Sequence, residues 1–181
     1  MRITHLRRFG LSAILAVVLA CFSTAQPAGA ETPDLSFTID QPVSAPGSTV
    51  SLTMTLTNNQ ATDIWFIYQS VQPTWTTTQR KDLKYSFASC TGEGASCSGT
   101  GTTSLGVNYE IPIAPGTSRT VTLTYQIASD SGCNGNIGFY SYFYYEYDSG
   151  QNHKDGIVNT PETRVACAPS PPGTAAGAIH S

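Results

Sequence analysis

The sequence predicts an all-β fold, an antiparallel β-sandwich of about seven to nine strands stabilised by disulfides. The first observation behind this prediction is a pattern that occurs twice: a Pro-Gly turn followed by a segment in which apolar and hydroxyl side chains alternate. Alternation with a period of two residues gives a strand one buried face and one solvated face. The copies follow Pro46-Gly47 and Pro115-Gly116, and their apolar positions are Val50, Leu52, Met54 and Leu56 in the first and Val121, Leu123, Tyr125 and Ile127 in the second.

Further strands are predicted where apolar residues alternate or cluster between polar turns. These segments are 35–39, 64–68, 83–87, 107–113, 137–147 and 163–167. Segment 64–68 is apolar on both faces, which is typical of a central strand. No segment beyond residue 30 has the period of an amphipathic helix, so the Thr-rich stretch 72–82 is predicted to be a loop. Roughly eight short strands at even spacing indicate an Ig-like sandwich.

Residues 1–30 are predicted to be a cleaved secretory signal peptide. A basic start precedes an apolar run of about 12 residues, too short to cross a bilayer as a helix. Ala28-Gly29-Ala30 supplies the small residues of a cleavage site. Arg7-Arg8 leaves a twin-arginine signal open as a variant. Lipidation of Cys21 is a second alternative, because Val18-Leu19-Ala20-Cys21 resembles a lipoprotein cleavage box.

The domain organisation follows from length and composition. Residues 31–167 are predicted to form a single Ig-like domain, since this length suits one hydrophobic core. Residues 168–181 are rich in Pro, Ala and Gly and are predicted to form a disordered tail. We expect the mature protein to be secreted and extracellular, with a lipid anchor on Cys21 as the alternative.

Charge limits the class of partner. The whole chain has a formal net charge of −3, and three of its nine Lys and Arg residues lie in the predicted signal, so the mature chain is more acidic. A sparsely charged, acidic chain argues against nucleic acid or an anionic membrane surface as the partner. We therefore expect an extracellular protein or a polysaccharide as partner, with no transmembrane segment in the mature chain. The oligomeric state stays open.

Four cysteines remain after the predicted signal, and an even number in an exported chain indicates two disulfides. Three connectivities are open in principle, and pairing of sequence neighbours favours Cys90–Cys97 and Cys133–Cys167. On the chain-entropy argument these bonds contribute roughly 2–3 and about 4 kcal/mol to stability, respectively. The sequence has no Cys-x-x-Cys, so no zinc site is predicted, and we expect neither a metal nor a cofactor.

Part of the chain resembles a known bacterial domain. An opening Ala45-Pro46-Gly47-Ser48-Thr49-Val50, an alternating strand and Thr57-Asn58-Asn59 are followed in order by Cys90…Cys97 and Ala114-Pro115-Gly116. This order resembles the Ig-like repeat of bacterial surface proteins called domain of unknown function eleven, over about residues 34–128. The chain departs from that pattern after its third strand, where the family has Leu-Pro, and in its Tyr-rich closing part. The resemblance implies a non-catalytic domain of secreted or surface-exposed proteins and supplies no functional residues.

Candidate catalytic groups are few. The neighbours of His153 are typical of a hairpin tip, so this side chain is predicted to be solvated rather than part of a nucleophilic triad. Glu146 and Asp148 are predicted to lie on one face at the end of the aromatic strand, about 7 Å apart, which is within the range of a glycosidase pair. The sequence indicates no cleft there, and charges that protect an edge strand are the more common explanation. No catalytic residue is predicted, and we do not expect an enzyme.

Segment 137–147 contains the candidates for ligand binding. Its more apolar alternation phase is predicted to face the core, which leaves Tyr140, Tyr142 and Tyr144 in a row on the outer face. Displayed tyrosines stack on sugar rings or anchor a protein partner, and Trp75 could join them from the polar loop. The alternative is that these tyrosines, as good strand formers, only pair across neighbouring strands.

Three functional hypotheses follow. The leading one is a secreted or cell-surface, non-catalytic Ig-like module that acts in binding, in adhesion or as a structural element. The second is a small carbohydrate-binding protein that uses the tyrosine row. The third is a secreted inhibitor of an extracellular enzyme that presents the disulfide-closed loop Thr91–Ser96.

Overall fold

A computed structural model describes residues 34–167 and shows an Ig-like antiparallel β-sandwich, which confirms the predicted fold class. The predicted signal 1–30, with Cys21, and the predicted tail 168–181 lie outside these residues. The strands are β1 (Leu35–Ile39), β2 (Val43–Ser44), β3 (Thr49–Thr57), β4 (Ile64–Pro73), β5 (Tyr85–Gly92), β6 (Ala95–Ser98), β7 (Leu105–Tyr109), β8 (Ser118–Ile127), β9 (Gly135–Ile137), β10 (Phe139–Tyr147), β11 (Asn152–Asn159) and β12 (Thr163–Val165). A short helix, α1, spans Trp75–Gln79, and a 3-10 turn spans Asp148–Gly150.

The strands form two main sheets and a smaller one. One main sheet has four strands in the order β1-β3-β8-β5, and the other has five in the order β11-β10-β4-β7-β6. The third sheet has the order β2-β12-β9. Apolar side chains from the inner faces of all three sheets form one continuous core, so each main sheet has one buried and one outer face.

The two alternating strands that follow the Pro-Gly turns pair with each other. β3 and β8 run antiparallel from Thr49 opposite Gln126 to Thr57 opposite Ser118. All eight of their predicted core positions have no exposed surface. A one-residue shift of either strand would turn its apolar row toward solvent, so the alternation fixes which face of each strand is buried.

The Pro-Gly turns lie at opposite ends of this strand pair. Gly47 and Gly116 have φ angles of 88° and 70°, which glycine adopts without the steric cost that a Cβ brings. The Gly47 N–H donates to the Ile127 carbonyl, and the Gly116 N–H donates to the Asn58 carbonyl. Each turn is therefore hydrogen-bonded to the end of the opposite strand or to the residue just after it.

Asn58 is a fully buried polar residue at the end of β3. Its Nδ2 donates to the carbonyls of Thr62 and Ile113 at 2.9 and 2.8 Å, and its Oδ1 accepts from the Gln60 N–H at 2.9 Å. Buried polar atoms that are satisfied in this way fix one local conformation. The Asn in the motif that resembles the bacterial repeat therefore has a structural role here.

Both disulfides pair as predicted. Cys90 on β5 is bonded to Cys97 on β6, and these strands are the edges of the two different main sheets. Cys133, before β9, is bonded to Cys167, after β12. The first bond therefore links the two layers of the sandwich, and the second joins the segments next to two paired strands of the small sheet.

The core contains one polar network that the sequence does not predict. Gln69 on β4 is 2% exposed; its Nε2 donates to Ser141 Oγ at 2.8 Å and its Oε1 accepts from Tyr109 OH at 2.5 Å. Burial raises the pKa of the Tyr109 phenol. The network joins β4, β7 and β10 in the interior of the five-stranded sheet.

Two predicted boundaries are wrong around the aromatic strand and the Thr-rich stretch. Residues 72–82 are not all loop, because β4 continues to Pro73 and α1 follows, with Thr74 as its N-cap. A helix of five residues is too short to show a helical period. Segment 137–147 is two strands, since Gly138 separates β9 from β10, and a Cβ at Gly138 would meet the Glu162 side chain at 2.8 Å.

Two other segments also differ from their predictions. Thr91–Ser96 is not a six-residue loop: only Glu93 and Gly94 lie between β5 and β6. The strand predicted over 107–113 ends at Tyr109, and Ile113 instead forms an isolated bridge with Ile64. Alternation alone gives no sign of where a strand leaves its sheet.

Candidate functional site

Aromatic side chains cluster on the outer face of the five-stranded sheet. Its two adjacent strands β4 and β10 direct alternate residues outward, and five of these are aromatic. Phe66 and Tyr68 on β4 are 48% and 53% exposed, and the three β10 tyrosines are half-buried. The aromatic face, as we call it, consists of Phe66, Tyr68, Tyr140, Tyr142 and Tyr144. The structure thus places the predicted tyrosine row outward and adds two rings from the neighbouring strand.

The rings of the aromatic face contact each other diagonally across the strand pair. Tyr144 and Tyr68 are Cα partners, yet the ring neighbours are Phe66–Tyr144 and Tyr68–Tyr142, each with centroids 6.1 Å apart. Their interplanar angles are 70° and 56°. Edge-to-face packing is a preferred arrangement of aromatic pairs. The face therefore offers a mixture of ring edges and ring faces rather than one flat platform.

A bulge near the start of β4 exposes one more aromatic ring next to the aromatic face. The register shifts so that Glu146 opposes Phe66 and Tyr147 opposes Ile64, which leaves Trp65 without a partner on β10. An extra residue in one strand redirects the side chains beside it. Trp65 is consequently 50% exposed, next to the equally exposed Phe66.

The neighbouring edge strand, β11, borders the aromatic face with one apolar and two polar residues. Ile157 opposes Tyr142 and is 65% exposed. Asp155 opposes Tyr144, and the His153 ring stacks on the Tyr144 ring with centroids 5.4 Å apart. The prediction that His153 lies in a turn is wrong, because it is the second residue of β11.

Glu146 is hydrogen-bonded to the central ring of this cluster. Its Oε1 accepts from Tyr144 OH at 2.9 Å, and this hydrogen bond raises the pKa of the Tyr144 phenol. Glu146 does not protect an edge strand, as the sequence interpretation had it, because β10 lies between β11 and β4. Asp148 lies beyond β10, where its Oδ2 accepts from Asn152.

Trp75, the fourth predicted site residue, lies apart from the tyrosine row. It begins α1, beyond the end of β4, and is 76% exposed. Among residues 34–167 no ring contact joins it to the aromatic face.

The sequence interpretation missed Phe66 and Tyr68, although a signal was present. Segment 64–68 is apolar on both faces, and in a two-layer sandwich only one face of each sheet meets the core. A strand with two apolar faces must then expose one of them. The prediction that this strand is central in its sheet was correct, but its outward side chains are not covered by another layer.

A polar pocket of about 360 Å³ lies elsewhere, between α1 and the small sheet. Arg80 lines it and is already engaged, since it donates to the carbonyls of Asn134 and Cys133 and to both oxygens of Asp82. This contact lowers the pKa of the Asp82 carboxyl. Arg80 therefore holds the Cys133 segment in place, and the pocket is a structural contact more than a binding site. Residues 34–167 also contain no cluster of three or more His, Cys, Asp or Glu side chains placed to hold a metal ion.

Comparison with known proteins gives the fold and no family. No family model matches this sequence, so the resemblance to the bacterial repeat is not confirmed, and no curated protein matches it either. Within the part of the chain that the structure describes, no helix has the length and apolar character needed to cross a membrane.

Solved structures with a similar fold include bacterial cohesins and a pilin subunit. The third cohesin ScaC of Acetivibrio cellulolyticus, solved in complex with the ScaB dockerin, has a TM-score of 0.54 at 15% identity, over 73% of this chain and 99% of that one. A cohesin module of a family 33 glycoside hydrolase from Clostridium perfringens has a TM-score of 0.51 at 10% identity, over 75% and 97%. The major pilin subunit BcpA of Bacillus cereus has a TM-score of 0.50 at 5% identity, over 74% and 40%. At these identities the likeness is one of fold.

Proposed function

We propose that this chain is an exported, non-catalytic binding module that holds a protein partner on its aromatic face. The observation that carries the proposal is the exposure of Phe66 and Tyr68 beside the tyrosine row. Tyrosine and tryptophan dominate binding hot spots, because they supply large contact areas at a low cost in side-chain entropy. An exposed apolar cluster on a soluble domain marks an interaction surface.

The opposite side of the sandwich supports this assignment by contrast. The outer face of the four-stranded sheet consists mainly of hydroxyl side chains, among them Thr53 opposite Thr122 and Thr55 opposite Thr120. Such a face is typical of an antiparallel sheet with one side in water. Of the two main sheets, one therefore carries the exposed rings on its outer face and the other is mainly hydrophilic there.

Ring geometry favours a protein over a polysaccharide. Sugar rings stack on aromatic faces, so a carbohydrate platform needs several rings that lie flat toward the ligand. Here the Phe66–Tyr144 and Tyr68–Tyr142 pairs are steeply inclined, and the near-parallel pair, Tyr144 with His153, covers itself. Mixed edges and faces suit the irregular surface of a protein.

Location and fold are in keeping with such a role. The predicted signal and the two disulfides support export to an oxidising compartment. A cohesin of similar fold was solved with a dockerin bound, so this kind of sandwich can act as a protein receptor. We extend that capability, and no specific partner, to this chain.

The test is selection from a display library of genomic fragments of the source organism, with a panel of insoluble polysaccharides in parallel. Fragments that bind the wild-type chain are expected to lose at least about tenfold in affinity, or about 1.4 kcal/mol, toward Tyr142→Ala. Trp75→Ala is the matched control, since it removes an exposed ring away from the aromatic face, and it is expected to bind as the wild type does. Melting curves confirm that both variants are folded.

Two outcomes would contradict the proposal. If no fragment depends on Tyr142, the aromatic face is not a protein-binding surface. If a polysaccharide retains the wild type but not Tyr142→Ala, the carbohydrate hypothesis replaces it. The segment that the inhibitor hypothesis would present, Thr91–Ser96, is a disulfide-closed hairpin with a two-residue turn.

A further inference from the structure

We infer that the partner presents an arginine or lysine to the aromatic face, next to an apolar side chain; this inference rests on the proposed function. Two carboxylates support it: they lie beside exposed rings, on a face that has no Lys or Arg of its own.

The carboxylates lie on either side of one tyrosine. Asp155 is the Cα partner of Tyr144 on the neighbouring strand, and Glu146, two residues along β10, accepts a hydrogen bond from the Tyr144 hydroxyl. Both residues belong to the outward phase of their strands. Neither one is in an ion pair with a side chain of residues 34–167. The aromatic face therefore has two negative charges at its border.

Cations of the chain itself do not balance these charges on this face. The five strands of the sheet contain one Lys or Arg between them, Lys154. Its Nζ lies 2.5 Å from Asp34 Oδ2, at the start of the other main sheet. The one cation of the sheet is thus directed over the side of the sandwich to Asp34.

Physical chemistry then selects the partner. The face of a tyrosine ring attracts a cation, and a carboxylate beside the ring adds Coulomb attraction and a hydrogen-bond acceptor. Guanidinium suits both contacts because it is planar, stacks on rings and binds carboxylates in a bidentate way. An acidic or purely apolar partner would instead desolvate Glu146 and Asp155 without compensation.

The apolar part of the partner also has a place. Ile157 on β11 opposes Tyr142 and is 65% exposed. Ser70 on β4 opposes Tyr142 from the other side and is only 8% exposed. An aliphatic side chain, or the stem of the Arg or Lys itself, would cover Ile157 and the adjacent ring. The expected contact is therefore a cation at Glu146 and Asp155, against the face of the Tyr144 ring that His153 does not cover, with apolar contact at Tyr142.

The test uses a displayed library of random peptides as the probe. Clones are kept when they bind the wild-type chain and lose binding to Tyr142→Ala. Among these clones we expect Arg and Lys to be enriched about threefold over Asp and Glu. The double variant Glu146→Gln/Asp155→Asn is expected to weaken them about fivefold. Raising the salt concentration from about 50 to about 500 mM is expected to weaken them as well.

The matched control is Glu93→Gln/Glu110→Gln, which makes the same change in net charge at exposed positions away from the aromatic face. It is expected to change affinity less than twofold or so. Clones that depend on Tyr142 but are neither basic nor sensitive to Glu146→Gln/Asp155→Asn would overturn this inference and leave the proposed function standing. An absence of Tyr142-dependent clones would instead count against the proposed function itself.

Discussion

Lys154 on β11 forms an ion pair with Asp34, which lies just before β1, and so links an edge strand of one main sheet to the edge of the other. The Cys90–Cys97 bond links the two remaining edge strands, β5 and β6. Both open sides of the sandwich are therefore cross-linked, one by a covalent bond and one by charge.

The ion pair is expected to stabilise the fold measurably. The Asp34 side chain is 6% exposed, so removing its cation leaves a carboxylate in a poorly solvated position. Lys154→Met should lower the free energy of unfolding by about 1–3 kcal/mol, less than for a fully buried pair, because Lys154 is partly solvated. Urea unfolding measures it. Lys84→Met is the control, since Lys84 and its partner Asp130 are both exposed; equal losses in the two variants would contradict the account.

Asn58 is expected to be the most costly single polar position of the fold. Asn58→Ala leaves the carbonyls of Thr62 and Ile113 and the Gln60 N–H without their partner. We expect a loss of about 2–4 kcal/mol in urea unfolding. Asn152→Ala, which removes one exposed hydrogen bond to Asp148, should cost under about 1 kcal/mol. Similar values for the two variants would show that the buried hydrogen bonds of Asn58 do not stabilise the segment after β3.

The two disulfides are expected to contribute unequally. Cys133–Cys167 closes 34 residues of chain and Cys90–Cys97 closes seven, so the longer loop restricts the unfolded chain more. Replacing each pair by alanine should cost about 4 and roughly 2–3 kcal/mol, respectively, in thermal or urea unfolding. A larger loss from the short loop would point to the interlayer contact of β5 and β6 as the main contribution.

Alkaline pH is expected to destabilise the protein through its buried phenols. Burial raises the pKa of Tyr85 to about 12, and it also raises the pKa of Tyr109, Tyr125 and Tyr145. A raised pKa means that the folded state keeps its proton after the unfolded chain has lost it. The stabilisation is therefore complete below about pH 10 and declines as the pH rises through the folded-state values.

Urea unfolding between about pH 9 and pH 12 measures this decline, and tyrosinate absorbance of the folded protein measures the ionisation directly. Tyr85→Phe should remove only one of four contributions to this decline, because all four phenols ionise near pH 10 in the unfolded chain and later in the folded protein. Uniform ionisation of all tyrosines near pH 10 in the folded protein would contradict the burial of these phenols.

Alternation was enough to predict the strand pair at the centre of the fold. The apolar rows of β3 and β8 are buried in the structure, and a one-residue shift would expose one of them, so the core positions of both strands could be predicted from the sequence. The pairing of the cysteines was likewise predictable from spacing. Positions set by contacts distant in sequence were not: Gly138, which separates β9 from β10, exchanges hydrogen bonds with Thr77 of α1, 61 residues before it.

About half of the candidate site could be predicted from the sequence. The phase of β10 placed Tyr140, Tyr142 and Tyr144 outward because its other phase is more apolar, and the structure shows them there. Phe66 and Tyr68 could not be assigned to the same surface, because strand order across a sheet is not contained in local periodicity. His153 was placed in a turn since polar residues surround it, whereas β11 pairs with β10 over eight residues.

The central claim is that a protein partner lies on the aromatic face. The most direct measurement is an amide chemical-shift map of the full chain titrated with a fragment selected for dependence on Tyr142. We predict that the perturbed amides lie on β4, β10 and β11, around Tyr68 and Tyr144. Perturbations confined to β3 and β8, or to the turn at Glu93 and Gly94, would contradict it.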